Sequence, residues 1–586
     1  MVPPSTKRIR LACAHCRRRK TRCTGERPIC SPCRRSGRPC VYEPYSVTVA
    51  DNETGESDIL TRMARLEARV LELSDRVVSD SSTLPPHDTF QSLIDTFFLR
   101  VHNRPYSYLQ EASFRRNLEA GSIPNYLLLA VIAASARFSI DEYYRGRTRE
   151  ATEAYARESW VLVLTEHFMV DENPRIEVIQ TLNILAIIDY TIGRIQPAWM
   201  KVGLAMREAQ TMRLMREPCM SLGLAEQEEQ RRVFWSVFLL DRLISCAKGR
   251  PLAIQDDECT LQLPCDEDTL RAGQWKATYT LRELLSWDGP GGVNPSSFGL
   301  VILTAAVFGR CTKYVYSERH EERIPPWHSD SEMSRLGSSL LLLESLIMAD
   351  QQNETATSAE ASQVLFARIL FHLCHCLLNH PAVIRSRLGG FASRVPAGFT
   401  RKAMQAAHKH AIQLTDLVGG EGSGGCLFES SFYPYCIVVA GGIHALAVHW
   451  PERESTAADA AGYAKKSLGM LEQLAATWQH ATSMALRLGE FICEAELYGA
   501  ILDPASLTDG AGFGEHDRLW AMIDYGMVLI SLATFGIQNL GSASPFHGVS
   551  SSHMQAHGHQ LPCFLPRPRI WGIPVCPLGL STPHVD

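Results

Sequence analysis

The sequence is short of several things that would name a function class. Residues 1–12 carry Lys7, Arg8 and Arg10 and no apolar h-region. The expectation is a chain without a secretory signal, in a reducing compartment. No stretch reaches about eighteen consecutive uncharged apolar residues. Even Cys436–Trp450 is broken by His444 and His449, so no membrane span is expected. There is no His-Glu-x-x-His, no Gly-x-Ser-x-Gly and no convincing Rossmann turn, which removes the common signatures of an enzyme. Period-2 alternation of apolar residues is scarce, which argues against a sheet protein.

What is present is concentrated at the start. Cys13, Cys16, Cys23, Cys30, Cys33 and Cys40 follow the spacing Cys-x2-Cys-x6-Cys-x6-Cys-x2-Cys-x6-Cys. A shift of seventeen carries the first three cysteines onto the last three, and Arg17 and Arg18 onto Arg34 and Arg35. This is an internal repeat of one metal-binding unit with a basic tail. Structural zinc takes four ligands, and thiolates suit it. Two separate four-sulfur sites need eight cysteines, but six suffice if two sulfurs each bridge both metals. Three disulfides are the competing account. Against them stand the missing signal and the twelve further cysteines, of 18 in all, scattered through the chain.

Charge points to the partner. Residues 1–45 hold twelve Lys/Arg against Glu26 and Glu43, a net +10. Two Zn²⁺ with six thiolates contribute −2, which leaves about +8 on a very small module. The whole chain carries −5, so the remainder carries −15. A basic head on an acidic body is the asymmetry of a nucleic-acid binder. A merely solvating charge run is a poor reading of Arg17-Arg18-Arg19-Lys20 between two ligand-type cysteines.

The stretch 13–40 resembles the fungal zinc-binuclear-cluster DNA-binding domain of transcription regulators, and Pro28 matches the proline common in the family's inter-repeat loop. The resemblance implies two structural zinc ions, with Cys13 and Cys30 bridging them. It implies a first helix in the major groove of double-stranded DNA and Lys20 reading a CGG-type triplet. A lysine donor suits the O6 and N7 acceptors of guanine. Arg17, Arg18, Arg19, Arg22, Arg34 and Arg35 would mainly hold phosphate, which positions without specifying. All four positions on each zinc would be filled by sulfur, leaving none for a catalytic water.

Residues 41–57 read as a polar linker. From Ser57 or Asp58, either of which can cap a helix, apolar residues recur at Ile59, Met63, Leu66, Val70, Leu73 and Val77. Met63, Val70 and Val77 take a positions and Ile59, Leu66 and Leu73 take d, with Arg62 at g facing Glu67 at e of a parallel partner. The segment 58–79 thus reads as a coiled coil making a homodimer through 59–77, or else as an amphipathic linker helix packed on the body. Two heads on one duplex would gain affinity by avidity.

Residues 88–540 read as an all-α body, with helical stretches at Phe90–Val101, Tyr126–Arg137, Ala151–Phe168, Ile176–Ile192, Trp199–Met215 and Glu226–Cys246. This body resembles the fungal-specific middle domain that usually follows such a cluster. The residues that carry the likeness are Leu127–Ala136, Arg137-Phe138, Glu229–Arg242, Gly249-Arg250-Pro251 and Leu263-Pro264. Within them, Asp241 is expected to pair with an arginine on a neighbouring helix and Trp235 to fill the core. The alternative for Arg232, Trp235 and Asp241 is a role in sensing a ligand or masking an activation surface, as the resemblance implies for this domain.

His372, His375 and Cys376 share a helix face as a possible metal site, but a core helix with buried cysteine is preferred because no second ligand pair lies nearby in sequence. Gly419–Gly425 lacks the Lys-Ser/Thr of a phosphate loop and reads as a flexible connection. The tail 541–586, rich in Ser, Pro, Gly and His, reads as disordered.

The expected whole is mostly α: a two-zinc cysteine head, a short coiled coil, a large helical regulatory domain and a disordered tail. The resemblance implies a nuclear, sequence-specific regulator of RNA polymerase II transcription that engages the transcription machinery and is not an enzyme. An enzyme with a zinc-cluster appendage and a nucleic-acid binder without base specificity are its rivals. Target genes, half-site spacing, the sign of regulation and any effector are not written in the residues.

Overall fold

A computed structural model describes residues 12–42 apart from 20, 22 and 27. It also describes 84–529 apart from the segments 171–172, 287–293, 318–323, 351–356, 389–390, 421–429, 451–453, 500 and 502–515. Linker residues 43–57, the heptad segment 58–79 and the tail 541–586 lie outside the described residues. The chain divides into two units, Met1–Thr83 and Leu84–Asp586.

Among the described residues of the first unit are two single-turn helices, α1 (Ala14–Arg18) and α2 (Ser31–Arg35), and the buried residues there are all cysteines. Among the described residues of this unit no apolar side chain other than cysteine is buried, so hydrophobic burial contributes little to holding the cysteine cluster together.

The second unit is a stack of helices around one core. Its first long helix, α3 (His87–Arg100), leads to α4 (Asn125–Ala136), which follows Pro124 and is buried from Tyr126 to Ala136 on every face. A helix apolar all round belongs in the middle of a large protein. It packs against α3, against α5 (Thr148–Leu162) and against α6 (Ile176–Thr191). Beyond them come α7 (Ile195–Thr211), α8 (Leu224–Ile244) and α9 (Ser297–Tyr316), the last capped by the Ser296 hydroxyl accepting from Gly299 N–H at 3.0 Å.

In the second half, α10 (Ser358–Leu378) opens on a capping box, Thr357 with Glu360. It packs between α9 and α11 (Ala397–Gly419), and α12 (Tyr433–Val448) lies on α11 and on α13 (Glu454–Leu474). Helices α14 (His480–Glu494) and α15 (Tyr525–Leu529) close that end. Among the described residues the only β feature is one isolated bridge, Gln262 to Thr280. Helices α9 and α10 are long and apolar enough to cross a membrane by length and composition, yet 89% and 67% of their apolar windows are buried against other helices. Core packing accounts for their apolarity.

Helix α8 shows how the middle of this unit is fastened. Trp235 is fully buried, and its indole N–H donates to the Gln262 carbonyl at 2.8 Å. Arg232 donates to Glu228 at 3.0 Å, to the Ser107 hydroxyl at 3.1 Å, to the Cys265 carbonyl at 2.9 Å and to Glu267. The expected partner of Asp241 on a neighbouring helix is corrected: Asp241 pairs with Arg242, the next residue in α8, at 2.7 Å. Adjacent helical side chains diverge by about 100°, but both of these reach the segment 253–256 and meet there. Arg242 also bonds the Ile254 carbonyl at 2.8 Å and Asp256 at 3.0 Å, while Asp241 accepts from Ala253 N–H. Arg250 donates to the Tyr190 hydroxyl at 2.8 Å. The buried charges of α8 strap residues 253–267, including Leu263-Pro264, onto that helix, while Arg250 fastens the Gly249-Arg250-Pro251 turn to α6. Helix α9 comes close enough that a Cβ on Gly309 would sit 2.5 Å from Arg242 Cδ, so only glycine fits there.

Candidate metal centre and nucleic-acid interface

The internal repeat of the sequence reappears as a repeat of hydrogen bonds. Cys13 N–H points to Cys23 Sγ at 3.5 Å, and seventeen residues on, Cys30 N–H points to Cys40 Sγ at 3.3 Å. Thr21 N–H donates to the Cys16 carbonyl as Arg38 N–H does to that of Cys33. Each helix starts one residue after the leading cysteine of a Cys-x2-Cys, so both thiols of the pair turn inward from its first turn. Helix α2 ends on Gly37 at φ +63°, with Arg38 N–H returning to Cys33, a left-handed stop that a side chain would strain. Ala14 N–H donates to the Val41 carbonyl at 2.9 Å and ties the residue after Cys40 back to the start of α1.

The six sulfurs form two groups of four, Cys13/Cys16/Cys23/Cys30 and Cys13/Cys30/Cys33/Cys40, each with its sulfurs within 4.8 Å of one another. The two groups share Cys13 and Cys30. Sulfurs about 2.3 Å from one zinc in a tetrahedron lie about 3.8 Å apart. The separations here are 3.7 Å for Cys13–Cys30, 3.8 Å for Cys16–Cys30 and 3.6 Å for Cys13–Cys33. Disulfide sulfurs lie about 2.05 Å apart, so none of these pairs is a bridge. All six cysteines are free thiols at metal-ligand spacing. The donor set therefore fits zinc.

The Cys16 backbone N–H holds the Cys13 thiol down at about 6, while burial pushes Cys33 up to about 12 and Cys30 higher still. A bound cation resolves this by deprotonating coordinated thiols outright.

Around the sulfurs lies the basic surface. Arg18, Arg19, Arg34 and Arg35 are exposed, and no described salt bridge engages them. Helices α1 and α2 each end in arginines, the sign that a helix C-terminus favours. Lys20 and Arg22 lie outside the described residues, as does the side chain of Arg17. Tyr42 was not singled out from the sequence. Its hydroxyl lies 3.6 Å from Cys23 Sγ and donates to the Glu26 carbonyl at 3.0 Å, so it closes one side of the cluster.

Of the secondary candidates, His372 and His375 do meet a third histidine, which the sequence did not reveal. His410 of α11 brings Nδ1 to 2.8 Å from His372 Nδ1 and stacks on His375 with ring centres 3.9 Å apart. Parallel stacking turns the in-plane lone pairs of those two rings past each other, and Cys376 is buried separately, 3.9 Å from the Ala407 carbonyl. These are packed core histidines, all held well below 6.5 by burial.

Comparison with known proteins agrees with this geometry. Residues 11–46 match the fungal Zn(2)-Cys(6) binuclear cluster domain, and residues 94–373 match the fungal specific transcription factor domain. The chain is 24% identical over 550 residues to the Zn(2)-C6 fungal-type transcription factor FTF1c of Fusarium oxysporum f. sp. lycopersici, covering 75% of this chain and 57% of that one. It is 24% identical over 552 residues to FTF2 of the same organism, covering 75% and 50%. A Schizosaccharomyces pombe protein, the uncharacterized transcriptional regulatory protein C1327.01c, is 27% identical over 317 residues, covering 50% and 32%. The chain thus spans about half the length of the curated relatives it matches. With a zinc-type cysteine cluster at its head and a helical middle domain behind it, the chain belongs to the fungal zinc-binuclear-cluster transcription factors.

Proposed function

We propose that this chain is a nuclear, zinc-dependent, sequence-specific DNA-binding regulator of RNA polymerase II transcription, with no catalytic role. The observation that carries the reading is the pair of cysteine quartets sharing Cys13 and Cys30, ringed by exposed Arg18, Arg19, Arg34 and Arg35. In this reading two structural zinc ions are held by Cys13, Cys16, Cys23, Cys30, Cys33 and Cys40, and Cys13 and Cys30 bridge them. The metal supplies the folding energy that so small an apolar core cannot. Helix α1 enters the major groove, Lys20 reads guanine of a CGG-type triplet, and Arg17, Arg18, Arg19, Arg22, Arg34 and Arg35 hold phosphates.

The domain plan follows: the cluster at 13–40, a linker at 41–57, a dimerising coiled coil at 58–79, a regulatory domain at 88–540 and an irregular tail at 541–586. Two heads joined through 59–77 address two half-sites, and the helical body ties the complex to the transcription machinery and to control of a metabolic pathway or gene cluster. Selecting bound sequences from a random DNA pool with the full chain tests the reading. A recovered site with two guanine-rich triplets at fixed spacing, lost after zinc chelation, is expected. Uniform recovery of all sequences would replace it with non-specific nucleic-acid binding.

A further inference from the structure

The seventeen-residue repeat of the head breaks at a place that metal ligation does not explain. Arg38 of the second copy stands where the first copy has Thr21. Thr21 is exposed and lies outside any helix, three residues beyond the end of α1 at Arg18. Its backbone N–H is held by the Cys16 carbonyl at 3.1 Å, and its hydroxyl bonds to the Cys16 sulfur. The other described serines and threonines of the head serve its turns. Thr24 accepts from Ser31 N–H at 3.0 Å, Ser31 donates to Glu26, and Ser36 donates to the Pro32 carbonyl at 2.9 Å.

What precedes Thr21 sets it apart. It is the only serine or threonine of the chain with arginine at both the second and the third position before it, Arg19 and Arg18. Both arginines are exposed, and no described salt bridge engages them. Two kinds of macromolecule read exposed guanidiniums at a fixed spacing. DNA does so with phosphates, and a protein kinase that selects basic substrates does so with carboxylates. Only the kinase has a use for a hydroxyl at the end of the run.

We propose that Thr21 is the acceptor of a basic-directed protein kinase and that its phosphate switches off the DNA-binding face, the second part resting on the DNA reading above. In the transfer the Thr21 oxygen attacks the γ-phosphorus of ATP and the bond to the β-phosphate oxygen breaks. ADP leaves, and the hydroxyl proton passes to the catalytic carboxylate of the kinase. A single-turn helix has little stability of its own, so the end of α1 can open and let the arginine run lie extended in the kinase. The phosphate brings about −1.5 to −2 charges and lowers the head from about +8 to about +6. It stands next in sequence to Lys20, the proposed reader of guanine. It also competes with DNA phosphates for the Arg18 and Arg19 guanidiniums.

Treating the zinc-loaded full chain with ATP and the catalytic subunit of cyclic-AMP-dependent protein kinase, which selects paired arginines, tests this. Tandem mass spectrometry should find phosphate on Thr21, and Thr21→Val should carry none at that position. The phosphorylated chain should bind its selected duplex at least about tenfold more weakly than the untreated chain, with its zinc content unchanged. The DNA affinity of Thr21→Val should be the same before and after treatment. Prior binding of the duplex should slow modification of Thr21, because one arginine run serves both partners. The same ratios are read on an unrelated duplex: an untreated chain without sequence preference would sink the DNA reading, while the ratio still decides the effect of the phosphate. No phosphate on Thr21, equal DNA affinity of the phosphorylated and untreated chains, or loss of zinc on phosphorylation would overturn the proposal.

Discussion

If Cys13 and Cys30 serve two metals each, serine substitutions must split into two classes. Cys13 belongs to both quartets, so Cys13→Ser breaks one bond at each zinc. Cys16 and Cys23 belong to the first quartet alone, and Cys33 and Cys40 to the second alone. Losing Cys16 therefore leaves Cys13, Cys30, Cys33 and Cys40 complete. Structural zinc in small domains is worth roughly 10–16 kcal/mol, and among the described residues around it the buried groups are cysteines, so loss of metal should unfold the cluster. The expected zinc content, measured by inductively coupled plasma mass spectrometry on dialysed protein, is about two per chain for the wild type. It is about one for Cys16→Ser and for Cys33→Ser, and near zero for Cys13→Ser and Cys30→Ser. Circular dichroism or amide exchange of the head should follow the same order. A Cys13→Ser protein that keeps two zincs and binds DNA would refute the sharing, because the separations of 3.6–3.8 Å would then have another cause.

Other outcomes can be checked independently. Lys20→Ala should cost about 1–3 kcal/mol and relax the preference for guanine at one position, whereas Arg34→Ala should lower the salt slope of binding by about one with sequence preference kept; competition binding at several salt concentrations separates the two. Arg242→Met leaves Asp241 without its partner in a place only 2% exposed, so it should destabilise the second unit by about 3–5 kcal/mol in urea denaturation. A change within about 1 kcal/mol would mean the pair is spectator to the strap. His102, His410 and His480 are held near 4, and His372, His375, His380 and His444 near 3, in each case first by burial. Depressed histidines stay neutral in the fold, so their contribution is complete above about 6.5 and is lost as pH falls towards 4. Glu229, raised to about 7 by burial, and Asp241 and Asp524, also raised, act in the opposite sense but are three against seven. Unfolding midpoints should therefore drop between pH 7 and pH 5, and a flat profile across that range would contradict the burial of these rings.

Much of the molecule is legible in its amino-acid sequence, for reasons that differ by region. Metal ligation is a short-range demand, so residue type and spacing over 13–40 are nearly the whole specification of the head. The hydrogen bonds repeat at the same interval as the cysteines because both arise from one local chain path used twice. Helical periodicity is also local, and the expected spans near 90–101, 126–137 and 176–192 lie within a few residues of α3, α4 and α6. Helix ends were less legible, since caps such as Thr357 with Glu360 depend on the turn that precedes them.

What the residues could not determine is which distant side chains meet. Asp241 was recognisable as an unusual acid in an apolar helix, but its partner is its neighbour Arg242, and the reason lies in residues 253–256 crossing above both. His410 is thirty-eight residues from His372, and only the packing of α10 on α11 sets them 2.8 Å apart. In the sequence Arg137 stands out only as one of the residues that carry the family likeness. Its unmet Nε exists because α6 and Trp478 enclose it without bringing an acid, a fact of tertiary assembly that no local pattern encodes. The sequence alone determined the metal chemistry and the helical class, because both rest on interactions between residues near in the chain. The tertiary structure decided the charge pairs, because burial sets their energies, and burial belongs to the whole fold.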